Sequence, residues 1–168
     1  QMLKDEVAIS KEQMKKIDIK LIASSVVDDF NNIYMSKRGI KIILETDDDS
    51  EKYEITGIEN RIEQIIANLL ENSISFSEDN KKIIVKLKKN KKHQVIIDVI
   101  DEGAGFKEKD TQMIFKRFYS NRPDKFGEHS GLGLNIVKNL IDLHGGVITA
   151  SNNKDKKGAK VEIIFPKI

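Results

Sequence analysis

His93–Phe106 reads HQVIIDVIDEGAGF, an apolar, β-rich run that stops on a carboxylate and then bares its backbone at Gly103 and Gly105. The alternation of β-branched residues predicts a strand over about 94–100. Asp101 falls at its end. Either DEGAGF (Asp101–Phe106) is a turn that happens to contain an acid, or side chains are missing so that something can lie close against it. The choice depends on what surrounds this strand.

Outward from it, a second strand is predicted over about 82–89, joined through the basic turn KNKK. Before that pair, IENRIEQIIANLLENSISFS is the most strongly periodic helix, over 58–75, with Ile62, Ile65, Ile66, Leu69 and Leu70 on one face. IKIIL and KYEITG read as two strands flanking an acidic turn at Asp47–Asp49. A helix over about 19–37 carries Leu21, Ile22, Val26, Phe30 and Ile33, and Gly39 ends it. The leader, 1 to about 17, spaces Leu3, Val7, Met14 and Ile17 as an amphipathic helix with a coiled-coil-like seam, interrupted at Ser10. It is expected to be the tail of a helix from a neighbouring unit. Past DEGAGF, KEKDTQMIFKRFYS reads as a short helix and NRPDKFGEHS as a mobile loop. GLGLNIVKNLIDLHGG is a helix with a glycine-rich start and a Gly-Gly exit, and VITASN with AKVEIIF forms a closing hairpin. Helices mixed with strands in this order predict an α/β sandwich with one sheet face covered.

The bulk composition agrees. The chain has 168 residues, 39% hydrophobic and 33% charged, which suits one globular domain with a real core. The net charge of +2 singles out no partner. Without cysteine there is no disulfide, thiolate metal site or cysteine nucleophile. No apolar run approaches the ~20 residues that span a bilayer. The absence of an initiator methionine fits a piece of a longer protein.

Three local patterns carry chemistry. On the helix at 58–75, Gln64, Asn68, Asn72 and Ser75 project along the border of the apolar face. Asn68 and Asn72 lie one turn apart, so their amides can reach a common point. Amide oxygens are hard ligands that suit Mg²⁺; solvent-facing asparagines are the plainer reading. At DEGAGF, an ionised Asp accepts but cannot donate, and a purine's exocyclic amine is a fitting donor. Gly103 and Gly105 would admit a flat ring; an ordinary turn is again plainer. In SGLGLNIVK, Ser130, Gly131 and Gly133 lead into a helix whose first amides have no internal partners. Phosphate binds readily there, although plain capping explains the pattern too. No GK[ST] follows, and the strand–GxGxxG–helix order is missing.

The order and spacing of these patterns decide among the readings. Asn68/Asn72, then Asp101/Gly103/Gly105, then Phe115/Phe118, then Gly131/Gly133 resembles the set of boxes shared by the ATP-binding domains of sensor histidine kinases. NLLENSISFS is similar to their N box, DEGAGF to the first glycine box, IFKRFYS to the F box and GLGLNIVK to the second glycine box. The resemblance covers roughly residues 17–168. FYSNRPDKFGEHSGLGL looks like the ATP lid of the proteobacterial, envelope-sensing kind. The implied fold is the Bergerat-type ATP-binding sandwich, a mixed five-stranded sheet packed on three helices.

The resemblance also implies roles. Asn72 would ligate Mg²⁺ at the phosphates, and Asn68 would sit near the γ-phosphate. Asp101 would accept from the adenine amine and Phe76 would flank the purine. Ser75, Gly103, Gly105, Phe115 and Tyr119 complete the expected ATP site. Ser130, Gly131, Leu132, Gly133 and Leu134 belong to its phosphate end, where backbone amides of 131–133 face the phosphates. Two positions depart from the family. Ser75 stands where Lys is frequent and Ser120 where Arg is frequent. Arg122, two residues after Ser120, could supply that charge and is expected to be catalytic with Asn68; Lys116 and Arg117 are also close in sequence and stay open as alternatives.

Related ATPases, the gyrase and chaperone kinds, carry Glu where Asn68 stands. A carboxylate can activate water; an amide cannot act as a base at neutral pH. Slow hydrolysis and transfer to a histidine imidazole are therefore expected, with Glu71 facing solvent. None of His93, His129 and His144 sits in an acceptor-like HE or HD pair. His144 reads as a helix C-terminal residue, favourable with the dipole. The acceptor is expected on a dimerisation and phosphoacceptor hairpin of which residues 1–17 are the end or a linker, residues 18–168 being the catalytic domain. The expected partners are that hairpin and a response-regulator receiver domain, in a homodimeric full-length protein. The fragment itself is expected to be cytoplasmic, to touch neither nucleic acid nor membrane, and to belong to a sensor anchored in the inner membrane. Rival readings are an anti-sigma-type serine kinase, a degenerate nucleotide-binding regulator and, through KKNKKH, a nucleic-acid binder. Those lysines lack interleaved aromatics and fit a solvated hairpin turn better.

Overall fold

The computed structural model describes residues 14–106, 114–115, 132–154 and 157–168. Strand β1 (Lys15–Asp18) leads directly into helix α1 (Ile19–Arg38). Asp18 makes the junction: its side chain accepts from the Lys20 N–H at 3.0 Å, capping the helix, and from the Tyr53 N–H at 3.2 Å. Gly39 closes α1 in the left-handed region (φ 66), its N–H on the Met35 carbonyl at 2.9 Å. Strands β2 (Lys41–Thr46) and β3 (Glu54–Gly57) follow, then helix α2 (Glu59–Ser75). Strands β4 (Lys82–Lys89) and β5 (Val95–Ile100), helix α3 (Leu132–Leu143), and strands β6 (Val147–Asn152) and β7 (Ala159–Phe165) complete the order.

Five strands form one sheet in the order β2-β4-β5-β7-β6. β2 lies parallel to β4 and every other pair is antiparallel, so the sheet is mixed, as expected. A parallel neighbour needs a long crossover, and α2 lies within the one from β2 to β4. The free edge of β2 is partly covered by Asn31 of α1, whose amide accepts from the Ile42 N–H at 2.8 Å and donates to its carbonyl at 2.9 Å.

The helices cover one face. Ile62, Ile65, Ile66, Leu69 and Leu70 of α2 join Ile83, Val85 and Leu87 of β4 and Val95, Ile97 and Val99 of β5 in a single buried cluster. Each such side chain contributes roughly 1.5–3 kcal/mol. The alternate residues turn to the other face. There Asp98, itself buried, is reached by Lys88 at 3.2 Å and Lys160 at 3.8 Å. Among the described residues no helix is long and apolar enough to cross a membrane.

Two expectations are corrected. The leader was expected to be helical to about residue 17, but Lys15–Asp18 pairs antiparallel with Glu54–Gly57 in a separate two-stranded sheet. Ile17 is buried there, and its tertiary pairing outweighs the helical spacing of the leader. Residues 1–13 lie outside the described residues. On α1 the buried face is Ile19, Ile22, Ala23, Val26 and Val27, whereas Leu21 and Ile33 are exposed. Ile22 and Val26 set the face, and Leu21 lies about 100° from Ile22.

Candidate functional site

Strand direction decides which segments meet. β4 begins at Lys82 beside the end of β5, since Ile84 pairs with Ile100. Ile100 pairs in turn with Lys160 near the start of β7, and Ala159 with Asn152 at the end of β6. The end of β5, the start of β7 and the end of β6 therefore share one edge of the sheet. α2 runs into β4, so its C-terminal turn, with Asn72, Ser75 and Phe76, reaches that same edge. α3 leads into β6 from the opposite edge, so its N-terminus, with Gly133, comes to the first. The helices pack side by side and antiparallel, and His144 after α3 meets Ile58 before α2 at 3.1 Å on the far edge. Three segments distant in sequence thus converge.

Asp101 is the best-defined residue of the site, only 2% exposed. Its Oδ1 accepts from the Gly103 N–H at 2.9 Å and the Ala159 N–H at 3.1 Å. Its own N–H continues the ladder to the Ala159 carbonyl at 3.0 Å. The carboxylate is thus oriented by backbone from two elements before any ligand arrives.

The bareness of Gly105 has an internal cause. At φ +82, a Cβ there would lie 2.6 Å from Asn152 Oδ1. The space expected to admit a ring is filled by the chain's own asparagine. Gly133 differs: among the described residues, nothing lies within 4 Å of where its Cβ would stand. Its position in the first turn of α3 is one where free helix-terminal amides can receive a phosphate.

On α2, Asn72 is buried and Asn68 and Ser75 are half-buried, while Glu71 faces solvent as expected. Phe76, at the α2 C-cap, is buried, so its ring lies in the interior rather than on an open surface. Leu134 is a core residue, so only its backbone is placed to serve a ligand. Phe115 of the F box is buried beside Ile114, and Asn135 of α3 donates to the Phe115 carbonyl at 3.2 Å. That bond ties the F box to the first turn of α3. Phe118, Tyr119, Ser120, Arg122, Ser130 and Gly131, with Lys116, Arg117, His129 and the loop at 121–130, lie outside the described residues. Leu132 opens α3.

The sequence reading missed three structural supports. Arg38, at the end of α1, donates to the carbonyls of Ile74 at 2.9 Å and Ser77 at 2.5 Å, and pairs with Asp79 at 2.7 Å. It caps the C-terminus of α2 beside Ser75, where the family's Lys would stand, but its guanidinium is already engaged. His144 directly follows α3, at the helix C-terminus as the sequence predicts, but it is not an exposed charge on the dipole. Instead it is buried and accepts from the Ile58 N–H through Nε2, with Nδ1 facing the Leu140 carbonyl at 2.8 Å. One nitrogen donates and the other accepts, so the ring is neutral. Burial first, and the Arg61 charge second, hold its pKa below the ordinary 6.5 against the Leu140 hydrogen bond. Asn152 and Asn153 are the third support, and in the sequence they read as turn residues.

ATP and Mg²⁺ suit the donor set: amide oxygens on α2 for a hard cation, an oriented carboxylate acceptor, and the helix-terminal amides of α3.

Comparison with known proteins places the chain among ATP-binding domains. Residues 57–168 match the family described as "Histidine kinase-, DNA gyrase B-, and HSP90-like ATPase". The chain is 34% identical over 156 residues to the sensor protein ChvG of Rhizobium meliloti, covering 89% of this chain and 27% of that protein. It is 28% identical to the sensor protein kinase PmrB of Pseudomonas aeruginosa, covering 93% of this chain and 31% of that one. The chain thus spans about a third or less of these curated relatives. A solved catalytic domain of the histidine kinase ThkA superposes with a TM-score of 0.76 at 25% identity, over 92% of this chain and 97% of that one.

Proposed function

The chain belongs to the histidine kinase-, DNA gyrase B- and HSP90-like ATPase family, and from that premise we propose that it binds Mg-ATP and donates the γ-phosphoryl group to a histidine on a phosphoacceptor helix outside these residues. The observation that carries the reading is Asp101: a buried carboxylate, held by two backbone donors, on the edge where α2 and the first turn of α3 converge. Asp101 accepts from the adenine amine. Asn72 is the Mg²⁺ ligand and Asn68 stands by the γ-phosphate. The amides of the first turn of α3, with Gly131, Leu132 and Gly133, hold the phosphates. When bound, Mg²⁺ neutralises phosphate charge.

The chemistry of Asn68 supports kinase over ATPase. An amide orients but cannot deprotonate water, so hydrolysis is slow. A neutral imidazole nucleophile needs no base, so positioning and charge stabilisation suffice. Arg38 is committed to carbonyls, and Arg122 is our candidate for the cation at the transferring phosphoryl group. Phe115, Tyr119, Ser75 and Ser130 shape the rest of the site. Residues 1–17 would join this catalytic unit to a dimerisation and phosphoacceptor hairpin. The full-length protein would be a homodimer anchored in the inner membrane, with this unit on the cytoplasmic side and a response-regulator receiver domain as the next acceptor. The solved complex of ThkA with the response regulator TrrA offers a precedent at 24% identity.

Calorimetric titration with a non-hydrolysable ATP analogue, with and without Mg²⁺, tests binding. Incubation with the phosphoacceptor domain and labelled ATP tests transfer. An acid-labile, alkali-stable product supports a phosphohistidine; an acid-stable product would favour a serine kinase, and binding without transfer a regulatory module.

A further inference from the structure

The hairpin formed by β6 and β7 contains none of the family's boxes, yet it grips the adenine loop at both ends. At the near end, Asn153 donates from Nδ2 to the Asp101 carbonyl at 3.0 Å, and its N–H bonds the Gly158 carbonyl at 3.0 Å. At the far end, Asn152 accepts from the Phe106 N–H through Oδ1 at 2.7 Å and donates from Nδ2 to the Phe106 carbonyl at 3.1 Å. That second pair copies an antiparallel backbone pair with a side chain. The two glycines of this junction are shaped to it. Gly158, at φ +134, passes so close that a Cβ would lie 2.0 Å from the Asp101 carbonyl oxygen, and Gly105 leaves room for Asn152.

We propose that Asn152 and Asn153 are positioning residues for purine recognition, holding loop 101–106 at its two ends so that the Asp101 carboxylate meets the 6-amino group of adenine. This rests on the reading of Asp101 as the adenine acceptor. The backbone bonds of Asp101 and Ala159 fix where the loop leaves the sheet. Between Asp101 and Phe106 the loop forms no regular structure; Glu102 accepts from the Lys82 N–H at 2.9 Å within it, and the two asparagines hold its ends. Asn152 is exposed and Asn153 half-buried, so truncating either removes hydrogen bonds without opening a core cavity. Misplacing an acceptor by an ångström forfeits a directional hydrogen bond while leaving stacking and phosphate contacts intact.

The test compares two ligands that differ by that amine. Mg-ATP and the triphosphate of purine riboside, which lacks the 6-amino group, are titrated into the wild-type chain, Asn152→Ala, Asn153→Ala and the double variant. The wild type should prefer ATP. Each single variant should lose up to about tenfold in ATP affinity, the scale of one hydrogen bond. Affinity for the amine-free ligand should stay constant, so the preference shrinks, most of all in the double variant. Thermal midpoints near the wild type's confirm the fold. An equal loss for both ligands would make the asparagines general supports of the site, and no loss for either would remove them from recognition; both outcomes overturn the proposal. A wild type that fails to prefer ATP instead overturns the Asp101 assignment, and this proposal with it.

Discussion

Asp101 and Asn72 have separate roles in the proposed site, adenine acceptor and Mg²⁺ ligand, and their variants should fail differently. Asp101→Asn keeps an Oδ1 for the Gly103 and Ala159 amides, so the loop should persist. Its Nδ2 would face the adenine amine donor to donor. ATP affinity should fall by about 10²-fold, the cost of an unmatched buried polar group, with an unchanged circular dichroism spectrum. Asn72→Ala should instead lose the Mg²⁺-dependent part of ATP affinity, so that titrations with and without the metal converge. Gly158→Ala belongs to stability. Its Cβ would stand 2.0 Å from the Asp101 carbonyl oxygen at a φ of +134, which L side chains rarely adopt. A loss of several kcal/mol in denaturant unfolding is expected. At this scale the sequence was legible as position: Asn68 and Asn72 lie one turn apart on α2 and Asp101 follows the end of β5, as the local pattern predicts. It was silent where an ordinary residue holds an unusual one: nothing local in SNNKDKKG says that Asn153 will reach Asp101.

Helix α2 is held at both ends by its neighbours, and each hold has a consequence. At the C-terminus Arg38 gives two carbonyls a charged donor. Arg38→Ala should cost about 1–3 kcal/mol in unfolding free energy, and Arg38→Lys should recover part of it, one amine replacing a fork of donors. At the N-terminus neutral His144 accepts from the Ile58 N–H. Its folded pKa lies below 6.5, first through burial, so in the window below 6.5 the unfolded chain binds more protons than the folded one. Stability should therefore rise with pH through that window and fall as the solution is acidified below 6.5. Unfolding titrations at pH 7.5 and 5.5 should show this slope, and His144→Gln should flatten it. Boundaries of α1 and α2 were readable from the 3.6-residue period and from Gly39. The misread element, β1, is only four residues long, and its strand identity comes from pairing with Glu54–Gly57.

For the whole molecule, binding and folding are linked. A ligand that binds only the folded chain stabilises it by mass action, about 2.7 kcal/mol at a hundredfold excess over Kd. Mg-ATP should raise the thermal midpoint in a concentration-dependent way, and chelating the metal should reverse most of the shift. The sequence by itself determined the class of this protein. The alternation of β5 and the apolar face of α2 required a helix-covered sheet, because periodicity acts over a few neighbours and survives in a linear reading; the order of the boxes carried the resemblance to ATP-binding domains. Only the tertiary structure decided which strand lies beside which and that β1 leaves the leader to pair with β3. It also decided that Gly105 is bare for Asn152, that Arg38 and His144 hold the ends of α2, and that the final hairpin bonds the loop at 101–106. Those contacts join residues tens of positions apart, 86 in the case of Ile58 and His144. Their partners are chosen by chain direction and close packing, which no local pattern encodes.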